Sequence, residues 1–448
     1  MKNVASMAMG RGLRFLGELG GAEWIDRWGL RPQATRLVEQ GARVGFRAAQ
    51  NAGQRFKPVL KLVKASRLER PAKKPELFDL SITDEQQMTR DTLRRFAEDV
   101  MRPAARSADD KCFTQQELLD ESMDLGLTLM ALPESLGGAG TERSPVSNAL
   151  VIEDLAYGDM GIALAVLAPL AVVNLLVDFG TAAQQSKYLS PLAEAGFVGS
   201  ALALTEPTPL FDAYRLRTRA QRTDSGYVLN GTKTLVPLGS RAELFLVAAL
   251  SDSGEPELFI VERDAKGLSI FEDPCMGLRA ADLARLELKD VRVSHEARIG
   301  GDEVDFRYSE VIDRARIAWA AMAVGCGQSV LDYVIPYCNE RFAFGEPITN
   351  RQSVAFLIAD MALELDGMRL LTQRAASRAE NGSSFQREAY LARLQAGEKG
   401  MKVGSDGVQL LGGHGFVKEH PVELWYRQLR AISLIEGALY ILKEALRC

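Results

Sequence analysis

The sequence predicts an α+β fold: a helical N-terminal domain, a middle β-barrel or sandwich domain and a C-terminal four-helix bundle. Three observations carry this expectation. At 448 residues the chain exceeds what a single core fills, so several domains follow. Short apolar runs separated by turn residues crowd between positions 199 and 304. Helical spacing of apolar residues occupies the chain before and after that block, and segregated helix and strand blocks read as α+β rather than alternating βαβ.

The elements follow in order. Residues 1–75 form a basic arm and linker, with Leu13, Phe15, Trp24, Trp28 and Leu30 set among Arg11, Arg14, Arg27 and Arg31, closed by Pro71-Ala-Lys-Lys-Pro75. Residues 1–74 hold 16 Lys+Arg against 5 Asp+Glu, a local charge of +11, which leaves −16 for the remainder of a chain whose net charge is −5. Two readings of the arm stay open: contact with an anionic membrane surface through residues 1–70, or docking of its apolar face on the body or on a second subunit. An Arg-rich transit peptide is a further option, while no unbroken apolar run after Lys2 supports a secretory signal.

Residues 76–198 are read as helical. Met88, Leu93, Phe96 and Val100 share one face, and Leu118, Leu119, Met123 and Leu125 repeat the pattern. Gly161–Val177 carries no charge, but it is slightly short for a membrane span and contains Pro169 and Asn174, so a buried core helix is expected. The middle domain, 199–304, shows runs such as Ala201-Leu-Ala-Leu-Thr205 and Leu258-Phe-Ile-Val261 between turns such as Asp224-Ser-Gly226 and Asn230-Gly231. No Gly-x-Gly-x-x-Gly joins a strand to a helix, which argues against a Rossmann site. The last domain, 305–448, places long helical patterns near Val311–Tyr337, Gln352–Arg378, Phe385–Leu411 and Pro421–Leu446.

Composition excludes some chemistries. Five cysteines without a Cys-x-x-Cys pair argue against a disulfide framework or a zinc site and fit a reducing compartment. Three histidines, His295, His414 and His420, are too scattered for a His-rich metal centre or a Ser-His-Asp arrangement. One carboxylate stands out, Glu436, in Ile435-Glu-Gly437. Held among Leu434, Ile435, Ala438 and Leu439 it would be desolvated and made a stronger base, suited to removing a weakly acidic carbon proton; a helix-end Glu facing water is the plainer alternative.

Several motifs in a shared order resemble those of the acyl-CoA dehydrogenases over about Phe78 to Leu442. They are Phe179-Gly-Thr-Ala-Ala-Gln-Gln-Ser-Lys-Tyr-Leu189, Ala203-Leu-Thr-Glu-Pro207, Tyr227-Val-Leu-Asn-Gly-Thr-Lys233, Asn339-Glu-Arg-Phe-Ala-Phe-Gly-Glu-Pro-Ile348, Gln409-Leu-Leu-Gly-Gly413 and Ile435-Glu-Gly437. The resemblance implies FAD as cofactor, an acyl-CoA substrate, electron-transfer flavoprotein as electron acceptor, and a homo-oligomer, dimer or tetramer; it implies no nucleic acid partner. It implies that Leu204 and Thr205 meet the flavin ring and that Arg341, Phe344, Gln409, Gly412 and Gly413 bind the dinucleotide, Arg341 and Phe344 across a subunit boundary. Glu436 falls on the family's catalytic base. Phe211, Asp313, Arg316, Ile435 and Gly437 are expected at the substrate, and Ala315 leaves the alternative base position empty.

Departures from the family pattern are specific. Phe211 replaces a serine, Leu235 and Pro237 replace an aromatic residue and a hydroxyl beside the flavin, Ala438 and Tyr440 follow the base, and Gln428 stands for the usual Asp after Arg427. The flavin is thus expected to sit differently, to bind weakly or to face an atypical substrate. Two other functions stay open, a non-catalytic acyl-CoA or membrane-interaction protein on this scaffold and a related flavin monooxygenase or oxidase. The expected location is cytoplasmic, peripheral at the inner membrane face, or the mitochondrial matrix in a eukaryote.

Overall fold

The computed structural model describes residues 81–194 and 198–445; the basic arm and its linker lie outside the described residues. Helix α1 (Asp84–Phe96) starts at a capping box. The Thr83 hydroxyl accepts from Gln86 N at 3.2 Å, and the Gln86 side chain accepts from Thr83 N at 3.0 Å. A π turn (Ala97–Met101) leads into α2 (Arg102–Lys111), followed by α3 (Gln116–Met123) and the short α4 (Leu127–Ala131). Helix α5 (Pro145–Gly158) and α6 (Met160–Phe179) meet at Asp159, whose Oδ1 accepts from Ile162 N at 2.8 Å. Helix α6 is apolar on nearly all sides and is buried inside the fold, as expected for Gly161–Val177. Helix α7 (Ala182–Glu194) closes the first domain.

Seven strands follow: β1 (Ser200–Ala203), β2 (Arg219–Thr223), β3 (Gly226–Val236), β4 (Leu244–Ser251), β5 (Pro256–Glu262), β6 (Leu268–Glu272) and β7 (Ala284–Val293). They form one sheet in the order β1-β4-β2-β3-β7-β6, with β5 paired to β4. Strands β1 and β4 are parallel, Ser200 opposite Leu244, whereas β2–β3, β3–β7 and β4–β5 are antiparallel. The ladder between β3 and β7 shifts register between Lys233 and Val236. That bulge lies beside the candidate site.

The third domain packs α8 (Tyr308–Glu340), α9 (Gln352–Glu380) and α10 (Gln386–Leu411) together, with α8 also lying against α5. Close approach of α8 and α5 requires Gly325, because a Cβ there would stand 2.0 Å from the Glu153 carbonyl oxygen. A two-strand hairpin, β8 (Phe342–Ala343) and β9 (Glu346–Pro347), separates α8 from α9. The last helical pattern differs from expectation. Instead of one helix over 421–446 there are two, α11 (Val422–Ala431) and α12 (Leu439–Ala445). The link between them contains Glu436 at φ 58° and Gly437 at φ 127°. A non-glycine residue in the left-handed region costs about 1–2 kcal/mol, and it cannot continue a right-handed helix.

Candidate active site

A cavity of about 240 Å³ lies where the sheet, α5, α6, α8 and the Glu436 link meet. Its largest part is apolar, with Leu164, Leu167 and Ala168 from α6 and Trp319 and Met322 from α8. Leu202, Leu204 and Thr205 at the end of β1 and Thr234, Leu235 and Pro237 at the end of β3 form the wall on the sheet side. Ile435 and Glu436 complete it.

Glu436 is held by its backbone. Its N–H donates to Thr205 Oγ1 at 3.3 Å, and the preceding carbonyl, Ile435 O, accepts from Arg393 Nη2 at 2.6 Å. Ala438 N donates to Phe211 O at 3.2 Å, tying the next turn to the loop after β1. The Glu436 Oε2 atom is buried without a hydrogen-bond partner. Burial raises the proton affinity of this carboxyl above the ordinary Glu value, while the Trp319 indole and the charges of Arg393 and Arg316 oppose the shift. Of the neighbours expected to dry the site, Ile435 is buried and lines the cavity, whereas Leu434 is 52% exposed. Segments distant in sequence, with Leu204, Trp319 and Met322, supply much of the remaining apolar lining.

The sheet wall is equally constrained. The bulge in β3 places Leu235 at φ 55°, a left-handed conformation that a bulky residue adopts only when its surroundings impose it. Asp273 imposes it here. Its Oδ2 accepts from Leu235 N at 2.9 Å and from the Thr234 hydroxyl. Thr234 N in turn donates to Thr205 O at 2.9 Å, joining the two strand ends that face the cavity. Behind them Lys233 and Glu206 form a fully buried ion pair at 2.9 Å. Lys233 Nζ also donates to Leu204 O at 3.1 Å, and the Glu206 carboxylate accepts from Arg217 N at 2.7 Å and Thr218 N at 2.9 Å. Burial pushes Lys233 down to about 8 against the pull of Glu206. Burial acts to raise Glu206, but Lys233 and the two backbone donors outweigh it and hold the carboxyl below its ordinary value.

One end of the cavity is polar. Arg143, Asn174 and Arg314 converge there, Arg143 donating to Asp178 at 2.9 Å and to Asn174, and Arg314 donating to Asp178 and Glu310. Sequence reasoning missed this group, as it missed Arg393 and Asp273, which nothing in their local sequence marks; Lys233 stood in a motif, but its buried pairing with Glu206 was not foreseen.

The expected site residues divide into three groups. Leu204, Thr205, Ile435 and Glu436 are brought together at the cavity. Phe211, Asp313, Arg316 and Gly437 do not line it. Phe211 is packed in the core and contributes only its carbonyl to the link, because the loop after β1 turns its ring inward. Asp313 and Arg316 are consumed by each other in a buried pair at 2.9 Å, with the Arg316 guanidinium 3.8 Å from the centre of the Tyr390 ring. Arg314 and Ala315, their neighbours on α8, face the cavity instead. The third group, Arg341, Phe344, Gln409, Gly412 and Gly413, lies on the surface, with Phe344 94% exposed. One chain does not carry these residues to Glu436.

The residues present fit a flavin. The apolar side chains of Leu204, Leu235 and Pro237 and the hydroxyls of Thr205 and Thr234 share one wall of the cavity, a set of groups suited to a tricyclic ring with a polar rim. A Cβ added at Gly412 or Gly413 would meet no atom within 4 Å, so the surface there is open to a pyrophosphate or ribitol chain. The aromatic side chain and the hydroxyl that Leu235 and Pro237 replace are absent from the wall, so these two positions would offer a bound ring aliphatic surface only.

Comparison with known proteins agrees with this geometry. Residues 83–196 match the family described as acyl-CoA dehydrogenase, N-terminal domain, residues 201–291 the middle domain and residues 307–447 the C-terminal domain. A short-chain specific acyl-CoA dehydrogenase of Megasphaera elsdenii is 32% identical over 369 residues, 80% of this chain and 96% of that protein. The solved butyryl-CoA dehydrogenase of the same organism superposes with a TM-score of 0.75 at 31% identity, covering 82% of this chain and 98% of the other. A structure described as PigA with FAD and proline gives a TM-score of 0.74 at 26% identity, with 82% and 98% coverage.

Proposed function

This chain belongs to the acyl-CoA dehydrogenase family, an FAD-dependent family of oxidoreductases, and we propose that it converts a short-chain acyl-CoA into the trans-2-enoyl-CoA with Glu436 as base. The observation that carries the proposal is the buried, unpartnered Oε2 of Glu436 at the cavity that also presents Leu204, Thr205 and Leu235. A desolvated carboxylate is a stronger base, and the fold leaves one oxygen of this one, Oε2, without a hydrogen-bond partner.

In the proposed reaction the acyl chain lies in the apolar part of the cavity. The Glu436 carboxylate forms an O–H bond as the α C–H bond breaks. FAD, when bound, would supply the two-electron hydride acceptor that loss of the β-hydrogen requires. The chain's part is to exclude water, to position the α-carbon and to hold the proton at Glu436. The left-handed backbone at Glu436, fixed by Thr205 and Arg393, aims the carboxylate before substrate arrives, which removes reorganisation from the chemical step. Short chains are the first substrates to examine, since relatives with that specificity align along most of their length and Trp319 and Met322 give the apolar part bulky lining. Electron-transfer flavoprotein is the proposed acceptor, and a second subunit is proposed to complete the dinucleotide site around exposed Arg341 and Phe344.

The test is anaerobic bleaching of the FAD-loaded protein by butyryl-CoA. The wild type should bleach, and Glu436→Gln should keep its flavin and lose bleaching. Equal rates in both would reject Glu436 as base. A protein that binds acyl-CoA but cannot be loaded with FAD would instead support the non-catalytic reading.

A further inference from the structure

Among the described residues three arginines are buried, Arg143, Arg316 and Arg393. Two of them have their own carboxylate: Arg143 meets Asp178 at 2.9 Å and Arg316 meets Asp313 at 2.9 Å. Arg393, on α10, is 1% exposed and makes no ion pair. Its Nη2 donates to Ile435 O at 2.6 Å, and its Nη1 is buried with no hydrogen-bond partner. The Oε2 of Glu436 is in the same condition. Two groups of opposite charge, each with one buried polar atom that lacks a partner, thus stand on either side of one peptide unit.

That peptide unit is the one joining Ile435 to Glu436. Its carbonyl is held by Arg393 and its N–H by Thr205 Oγ1, so its plane is fixed from both sides. We propose that Arg393 is a positioning residue for the base: it clamps the Ile435–Glu436 peptide and supplies the counter-charge that keeps the Glu436 carboxylate ionised in a dry cavity. The inference rests on Glu436 being the base. It explains why a guanidinium is tolerated where burial opposes its charge and pushes its pKa down to about 10, with Glu436 the charge that acts in its favour. Other groups facing Glu436 do not replace it. From α8, Arg316 also favours the Glu436 charge but less than Arg393 does and is paired with Asp313, the Tyr308 hydroxyl donates to Ala213 O at 3.0 Å, and Trp319 offers a hydrogen bond but no charge; from the sheet come neutral Thr205 and the paired Lys233 and Glu206.

The experiment uses the FAD-loaded full chain with butyryl-CoA as probe and compares wild type, Arg393→Gln and Arg393→Lys. Flavin bleaching is followed as a function of pH. The rate falls on the acid side as Glu436 takes up a proton, and loss of a nearby opposite charge should move that limb upward by about one pH unit or more, roughly a tenfold loss at a fixed pH on the limb. Arg393→Lys should restore most of the wild-type profile. The carboxyl infrared band of Glu436, identified by difference against Glu436→Gln, should shift its midpoint in the same direction without turnover. This keeps the inference separate from the substrate assignment, since the band titrates even if butyryl-CoA is not oxidised. An unmoved limb and an unmoved band in folded Arg393→Gln overturn the inference. If Arg393→Gln does not fold, the double variant Arg393→Gln/Glu436→Gln decides. Removal of both charges should recover a folded protein, and failure of the double variant as well overturns the inference.

Discussion

Replacing Gln428 by Glu should make this protein's stability fall steeply with pH. The Gln428 Nε2 group donates to Asp159 Oδ2 at 2.7 Å, and both side chains are buried. Asp159 is already pushed up to about 6 by burial, against the opposing bonds from Ile162 N and Gln428. Glu has nearly the shape of Gln, so the substitution changes charge and little else. It would set two carboxylates at hydrogen-bond distance in a dry site, and the pair must then share a proton at neutral pH. If that proton is retained at pH 7 by a group whose unfolded pKa is about 4.3, the cost is about 2.7 units, or about 3.7 kcal/mol. The sign follows from linkage. The folded pKa is raised, so the deficit is absent below about pH 4, grows by about 1.4 kcal/mol per pH unit, and levels off once pH passes the folded pKa. Urea unfolding of wild type and variant between about pH 5 and pH 8 measures it. Parallel curves for the two proteins would refute the reasoning.

Three further outcomes are expected. Lys233→Met strands the Glu206 carboxylate in the core and frees Leu204 O, so unfolding should become easier by about 3–5 kcal/mol, and a Lys233→Met/Glu206→Gln double variant should recover part of that loss in a thermal or urea melt. Thr205→Val leaves the Glu436 N–H without its acceptor, at a cost of about 1–3 kcal/mol, and should slow bleaching while acyl-CoA affinity measured by calorimetry stays near wild type. For the arm, contact with anionic lipid predicts vesicle binding that weakens as salt rises, since about 1 kcal/mol per basic residue is screened over a Debye length; loss of oligomer without loss of vesicle binding on deleting residues 1–70 would favour docking instead.

Periodicity and order made most of the architecture legible in the sequence. Helical spacing of apolar residues announced α8, α9 and α10, and short apolar runs between turn residues announced the sheet, because buried elements leave their length and period in the sequence. Glu436 was legible through its setting in Ile435-Glu-Gly437, although the break that presents it was not. The left-handed turn is imposed by Thr205 and Arg393, which are remote in sequence. The same holds for the wall opposite. Leu235 and Pro237 read as losses of flavin contacts, and the bulge that turns Leu235 into the cavity depends on Asp273, thirty-eight positions away. The resemblance set Phe211 and Arg316 at the substrate, yet Phe211 packs in the core and Arg316 pairs with Asp313, while Arg314 and Ala315 on the same helix face the cavity. That choice is made by packing.

Glu436 belongs to no regular element, and its backbone geometry depends on contacts from the β-sheet side and from α10. During refolding, helix and strand signals can reach their native values while the sheet and the bundle are still undocked. The Glu436 carboxylate, the proposed base, has no fixed direction until that docking occurs. Recovery of flavin bleaching should therefore lag behind recovery of far-ultraviolet circular dichroism, which makes enzymatic activity the reporter of the final assembly step.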